Sequence, residues 1–156
     1  MAGNGRGLFL LPEVDDEVLV GFEHGRVEFP YVLGSLWNGK DKPPAGNGDG
    51  ENNLRILKSR SGHTITLDDT DGAEKIEISD KSGNQTLVFD AAENTITITA
   101  DQDIAIESKK GSVKITGQRG VEISAPAGPG KLETAQDLDL RSNAQVNVRG
   151  TAINLN

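Results

Sequence analysis

From Thr64 onward the chain repeats one short phrase: an aliphatic residue, a polar or small one, a second aliphatic, then a polar turn. The pairs are Ile65/Leu67, Ile76/Ile78, Leu87/Phe89, Ile96/Ile98, Ile104/Ile106, Val113/Ile115, Val121/Ile123, Leu138/Leu140, Val146/Val148 and Ile153/Leu155. They begin eleven residues apart and then fall mostly eight or nine apart. Alternation of this kind predicts short strands with one apolar face. A fixed internal period points to a repeat architecture. The positions between the aliphatics, among them Thr66, Glu77, Val88, Thr97 and Lys114, mostly suit water, and Asp, Asn, Gly and Ser fill the turns. Ala125–Gly130 interrupts the rhythm, and Leu132 alone stands in for a pair. The gap from Val121 to Leu138 is seventeen residues, two ordinary repeats, so the register survives.

The first third reads differently. Leu8–Leu11 form an apolar run, followed by Pro12 and an acidic turn over Glu13–Glu17. Val18–Phe22 predicts a buried strand, Glu23–Arg26 a tight polar turn, and Tyr31–Trp37 a second strand. Gly, Pro, Asn and Asp crowd residues 38–53, which predicts a linker. Leu54–Leu57 offers one more strand, and Arg60–His63 turn into the repeats. This segment is all-β, with too few strands to close a barrel unaided.

A strand with one apolar face must bury it. A single-chain β-solenoid would use three strands per coil and yield under four coils. An intertwined trimer would wind three chains about one axis, each supplying one strand per layer. Stacked repeats expose edges and normally need caps. The sequence stops within Ile153–Asn156 without one, and its small aliphatics suit a thin shaft, so the trimer is favoured.

Composition narrows the function. With 16 basic and 24 acidic residues the formal net charge is −8, which disfavours nucleic acid and anionic lipid surfaces. There are no cysteines, hence no disulfides or thiolate metal sites. Aromatics are 4% of the chain, too few for a thick core. No apolar run is long enough for a transmembrane helix. The first residues lack the pattern of a secretory signal and read as the abrupt start of a piece of a longer domain.

Candidate chemistry is sparse. His24 and His63 lie far apart in turn-like contexts with no ligand spacing, so no metal site is expected. Asp68, Asp69 and Asp71 lack the glycine and distal glutamate of a calcium loop and read as a solvated turn. The carboxylates Asp101/Asp103 and Asp137/Asp139 read as a charged face that keeps a strand array soluble, not as a glycosidase pair. Gly3, Gly5 and Gly7 lack the strand, lysine and hydroxyl of a phosphate loop. No catalytic residue, cofactor or metal is predicted.

Three stretches carry a family resemblance: Leu11–Gly25 (LPEVDDEVLVGFEHG), Val32–Pro44 (VLGSLWNGKDKPP) and Arg60–Thr70 (RSGHTITLDDT). They resemble the oligonucleotide/oligosaccharide-binding (OB) fold, and its transition into a triple-stranded β-helix, in spike proteins of contractile injection systems. That family includes the valine–glycine repeat (VgrG) spikes of type VI secretion, phage baseplate spikes and spikes of extracellular injection systems. The resemblance implies an all-β chain with a partial OB-fold and linker over residues 1–57 and an intertwined trimeric β-helix over 58–156. It implies a homotrimeric, membrane-piercing, non-enzymatic spike that carries a PAAR-type tip protein and possibly effectors. Its N-terminal side would meet the tail tube or baseplate hub, and its shaft the target envelope. Such a particle is assembled in the bacterial cytoplasm and then secreted or released. The aliphatic pairs from Ile65/Leu67 to Val146/Val148 would form the trimer core. Ile153, Asn154, Leu155 and Asn156 would dock the tip, since the C-terminus lacks the paired histidines with which some related spikes hold apical iron. The alternative is a single-chain β-solenoid that binds or cleaves carbohydrate.

Overall fold

The computed structural model describes residues 2–154, apart from the side chain of Ala2. The chain divides into two units, Met1–Ala105 and Ile106–Asn156. All strands of the described residues lie in the first. Among the described residues no helix is long and apolar enough to cross a membrane.

The first unit begins with two small antiparallel pairs. Strands β1 (Ala2–Gly3) and β2 (Arg6–Gly7) form one; β3 (Val18–Phe22) and β4 (Pro30–Ser35) form the other, with a register shift between Leu19 and Val20. The expected Val18–Phe22 strand is therefore present but half-exposed, not buried, because only β4 pairs with it, and the second strand ends at Ser35, leaving Leu36 and Trp37 outside it. Leu8–Leu11 pair with no strand and lie exposed. The acidic turn forms as expected: Glu13 N–H donates to Asp16 Oδ2 at 2.8 Å, and Asp16 N–H returns to Glu13 O at 3.2 Å. Between β3 and β4, Glu23–Gly25 make a single 3-10 turn in which both His24 (φ 49) and Gly25 (φ 74) are left-handed.

Residues 36–53 contain no strand but are internally tied. Asn38 organises their start. Its Oδ1 accepts the N–H groups of Lys40 (2.8 Å) and Asp41 (2.7 Å), and its Nδ2 donates to Glu17 Oε2 (2.9 Å). An asparagine side chain that mimics a backbone turn explains why a Gly/Pro-rich stretch holds one path here.

Five strands then form an antiparallel meander: β5 (Leu54–Lys58), β6 (Thr64–Asp68), β7 (Lys75–Ser79), β8 (Thr86–Asp90) and β9 (Thr95–Thr99). Alternation of β-branched and aliphatic residues suits a pleated, half-covered surface. The loops carry the reversal. In the β7–β8 loop Gly83 sits at φ 76, a left-handed conformation that side chains resist. The β8–β9 loop uses Asn94 at φ 56 for the same purpose.

This meander differs from the expected layout in two ways. Leu54–Leu57, assigned above to the OB-fold and linker segment, is sheet partner to β6. The first four aliphatic pairs also lie on strands that hydrogen-bond within one chain, not on single strands that must find partners in other copies. Through Thr99 the backbone pairs with itself.

Beyond Thr99 the pattern changes. No helix or strand is formed from Ala100 to Asn154, and no backbone–backbone hydrogen bond occurs among these residues. The backbone bends at 101–102, 109–111, 118–119, 126–128, 135–136, 143–144 and 151. Each unbent stretch between carries an aliphatic pair, with Leu132 alone in one, so the bends keep the sequence repeat. One of them depends on glycine: a Cβ added at Gly117 would collide with the carbonyl of Gly120. Asp139 and Arg141, two residues apart, pair at 2.9 Å. In extended chain such residues share a face, opposite Leu138 and Leu140.

Candidate functional site

The register of the meander stacks the aliphatic pairs into two rows on one face. One row is Leu57, Ile65, Ile78, Leu87 and Ile98; the other is Arg55, Leu67, Ile76, Phe89 and Ile96. Directly opposed aliphatic and aromatic pairs of this kind are the unit of sheet stabilisation. On the opposite face Thr64, Ser79, Thr86 and Thr99 form a hydroxyl row beside Thr66, Glu77, Val88 and Thr97. All eight of the expected core residues from Ile65 to Ile98 thus share one face, and their spacers share the other.

Within the first unit no described residue covers that face. Ile65, Leu67, Ile76, Ile78, Phe89, Ile96 and Ile98 remain 39–67% exposed, and only Leu87 is half-buried. Two apolar hollows mark it, about 590 Å³ along the Leu57–Ile98 row and about 490 Å³ along the Leu67–Ile96 row. Among the described residues no hydrophobic side chain is buried anywhere. A soluble monomer rarely leaves a contiguous apolar patch of this kind in water.

The remaining expected core residues, Ile104, Ile106, Val113, Ile115, Val121, Ile123, Leu138, Leu140, Val146 and Val148, are also exposed, and no partner strand lies beside them in the chain. Of the tip-docking residues, Ile153 and Asn154 are exposed, whereas Leu155 and Asn156 lie outside the described residues. The sheet brings the first eight together; among the described residues the others form no second site.

Several of the polar groups considered earlier, Asp68, Asp69 and His63 among them, are engaged by the chain itself. Asp68 Oδ1 accepts the N–H and hydroxyl of Thr70 at 3.0 and 2.6 Å, and Asp69 pairs with Arg55. The Thr70 hydroxyl, then its N–H, hold the Asp68 carboxyl below the ordinary aspartate range, with help from Lys75. His63 Nδ1 accepts the N–H of Lys81 at 3.2 Å, which ties the β5–β6 loop to the β7–β8 loop. Arg60 reaches back to both carboxylate oxygens of Glu13, at 3.0 and 2.8 Å. Among the described residues no cluster of His, Asp and Glu could hold a metal ion.

Sequence reasoning missed Arg55. It stands in an otherwise apolar row, opposite Leu67, while the Leu-Arg-Ile-Leu run hides which residues share a face. Only the pairing register reveals that Arg55 and Leu57 look one way and Leu54 and Ile56 the other.

No curated protein matches the chain. Residues 1–37 match the family model described as the type VI secretion system/phage-baseplate injector OB domain. The match takes in the first family-like stretch, ends within the second at Trp37, and does not reach the third. Over those 37 of its 156 residues the all-β chain is similar to a structural baseplate component, which supports a baseplate-spike-related role.

Proposed function

We propose that the chain is one subunit of a homotrimeric spike that a contractile injection apparatus drives through a target envelope. One observation carries the reading. Four strands, β6 to β9, align their aliphatic pairs on a single face that the described residues leave exposed, and the same pair recurs for fifty more residues with no partner strand. Buried backbone donors and acceptors must be paired. Copies of the same chain, with the same repeat, supply both the cover and the partners. The similarity of residues 1–37 to an injector OB domain supports the setting.

Stiffness is the physical core of the function. When each layer is buried only by all three chains, the rod cannot unravel locally without exposing its interior. The sheath supplies the force, and no catalytic group is needed. In this reading the shaft starts with β5 at Leu54, with the meander as its first part and an intertwined β-helix beyond it. The N-terminal side meets the hub or tube, and the C-terminal residues from Ile153 dock a PAAR-type tip. Assembly takes place in the bacterial cytoplasm, and the particle is then secreted or released.

The single-chain solenoid draws no support from the fold. It would stack its own coils through parallel ladders, whereas the described strands pair only antiparallel and none follows Thr99. Removing the chain from cells that make such particles tests the proposal. The expected result is sheath–tube assemblies that lack a spike and do not deliver; normal assembly and delivery contradict it.

A further inference from the structure

Beyond Ala105 the repeat specifies its own alignment weakly. The pairs at 113/115, 121/123, 138/140 and 146/148 are alike in size and spacing. Sliding one chain by one repeat against its neighbours returns 113/115 to 121/123 and 138/140 to 146/148, and mismatches only an end layer and the layers that meet the Ala125–Leu132 interruption. Strands with so uniform a pattern are prone to register slips.

The β5–β9 sheet has the opposite character. Its four ladders all lie within one chain and its hairpins are local, so it forms without waiting for a partner. Its face also changes along its length. Arg55 opens one row, and Phe89, the sole aromatic residue of the repeat region, stands fourth in it. From the β7–β8 loop, Asn84 Nδ2 donates to Asp101 Oδ2 at 2.6 Å, which ties the sheet to the first bend after it.

We infer that the β5–β9 sheet sets the register of the assembly: it folds in each chain, docks its aliphatic face against two further copies, and so fixes which repeats share a layer. The inference rests on the trimeric-spike reading. Its occupant is a copy of this chain because residues 103–154 continue the same aliphatic pair without a partner. A different protein on the sheet would leave them unpaired.

The chain has no cysteine, so probes are clean. Leu138→Cys and Val146→Cys chains, refolded together, form only 138–138 and 146–146 disulfides in one register, because a disulfide tolerates Cα separations of only about 4.4–6.8 Å. A slip of one repeat brings 138 of one chain to 146 of another. With the native sheet the mixed disulfide stays below about a tenth of the like-with-like products; Ile76→Ser with Phe89→Ser raises it at least about fivefold while the mass remains that of three chains. Val113→Ser with Ile115→Ser, a similar apolar loss beyond the sheet, leaves the ratio unchanged.

An unchanged ratio in the sheet variant, or an equal rise in the second, overturns the inference and points to the Ala125–Gly130 interruption as the marker. Should the sheet variant not assemble, pulsed hydrogen exchange during refolding of the unaltered chain decides. The amides of β6 and β7 must gain protection first, at a rate independent of protein concentration. Those of 103–154 must follow at a rate that rises with it. Simultaneous or reversed protection overturns the inference while the trimer stands; a monomeric unaltered chain overturns both.

Discussion

Asp80 shows how much of this fold's local order rests on single polar side chains. Its oxygens accept the Ser82 hydroxyl at 2.8 Å, the Ser82 N–H at 3.1 Å, and the Asn84 and Gln85 N–H groups at 3.2 Å each. Desolvation pushes the carboxyl upward, but these donors outweigh it and hold the group at about 2, against an ordinary 3.8. A carboxylate depressed in the folded state stabilises above its unfolded value and loses that contribution as pH falls through the folded one. Stability of the sheet should therefore decline from about pH 4 to about pH 2. Thermal unfolding of Asp80→Asn across that range should show a flatter decline and a lower midpoint at neutral pH; an unchanged profile removes Asp80 as the cause. The facing of the repeats is also settled by single residues. Ile104→Asp should abolish assembly, because three carboxylates would share one apolar layer. Thr97→Asp, on the opposite face, should assemble normally. Equal behaviour of the two, read by sedimentation, would show that the faces are misassigned.

At the scale of the element, the turns carry the meander. Gly83 holds φ 76, with nothing within 4 Å of where a Cβ would sit, so its cost on substitution is purely conformational. Gly83→Ala should destabilise the sheet by about 1 kcal/mol, read as a lower urea midpoint at unchanged slope. Strands β6 to β9 were legible from alternation alone, because each aliphatic-x-aliphatic unit fills one face of a five-residue strand. What these strands pair with was not legible. A hairpin within a chain and a layer shared between chains demand the same pattern of apolar and polar positions. The placement of β5 was hidden because Leu54, Ile56 and Leu57 put aliphatic residues on both faces of the strand, with Arg55 between them. Asn94 escaped notice as the β8–β9 turn residue because asparagine takes a left-handed conformation less predictably than glycine.

At the scale of the whole molecule, the sequence made the uncovered faces visible but not what covers them. A net charge of −8 opposes non-specific association but does not cover exposed aliphatic surface. Each half-exposed isoleucine or leucine that gains cover contributes about 1 kcal/mol. That small term, repeated along eighteen expected core positions in every copy, is what the proposed assembly rests on. Polar groups such as Asp80, Asn38 and the Arg60–Glu13 pair are spent on turns and ties, and the proposed assembly rests on the aliphatic pairs. The direct test is mass in solution, by sedimentation equilibrium at micromolar concentration. The account predicts a single species of three 16.6 kDa chains that persists on dilution and in moderate denaturant. A well-behaved monomer of one chain mass would contradict it.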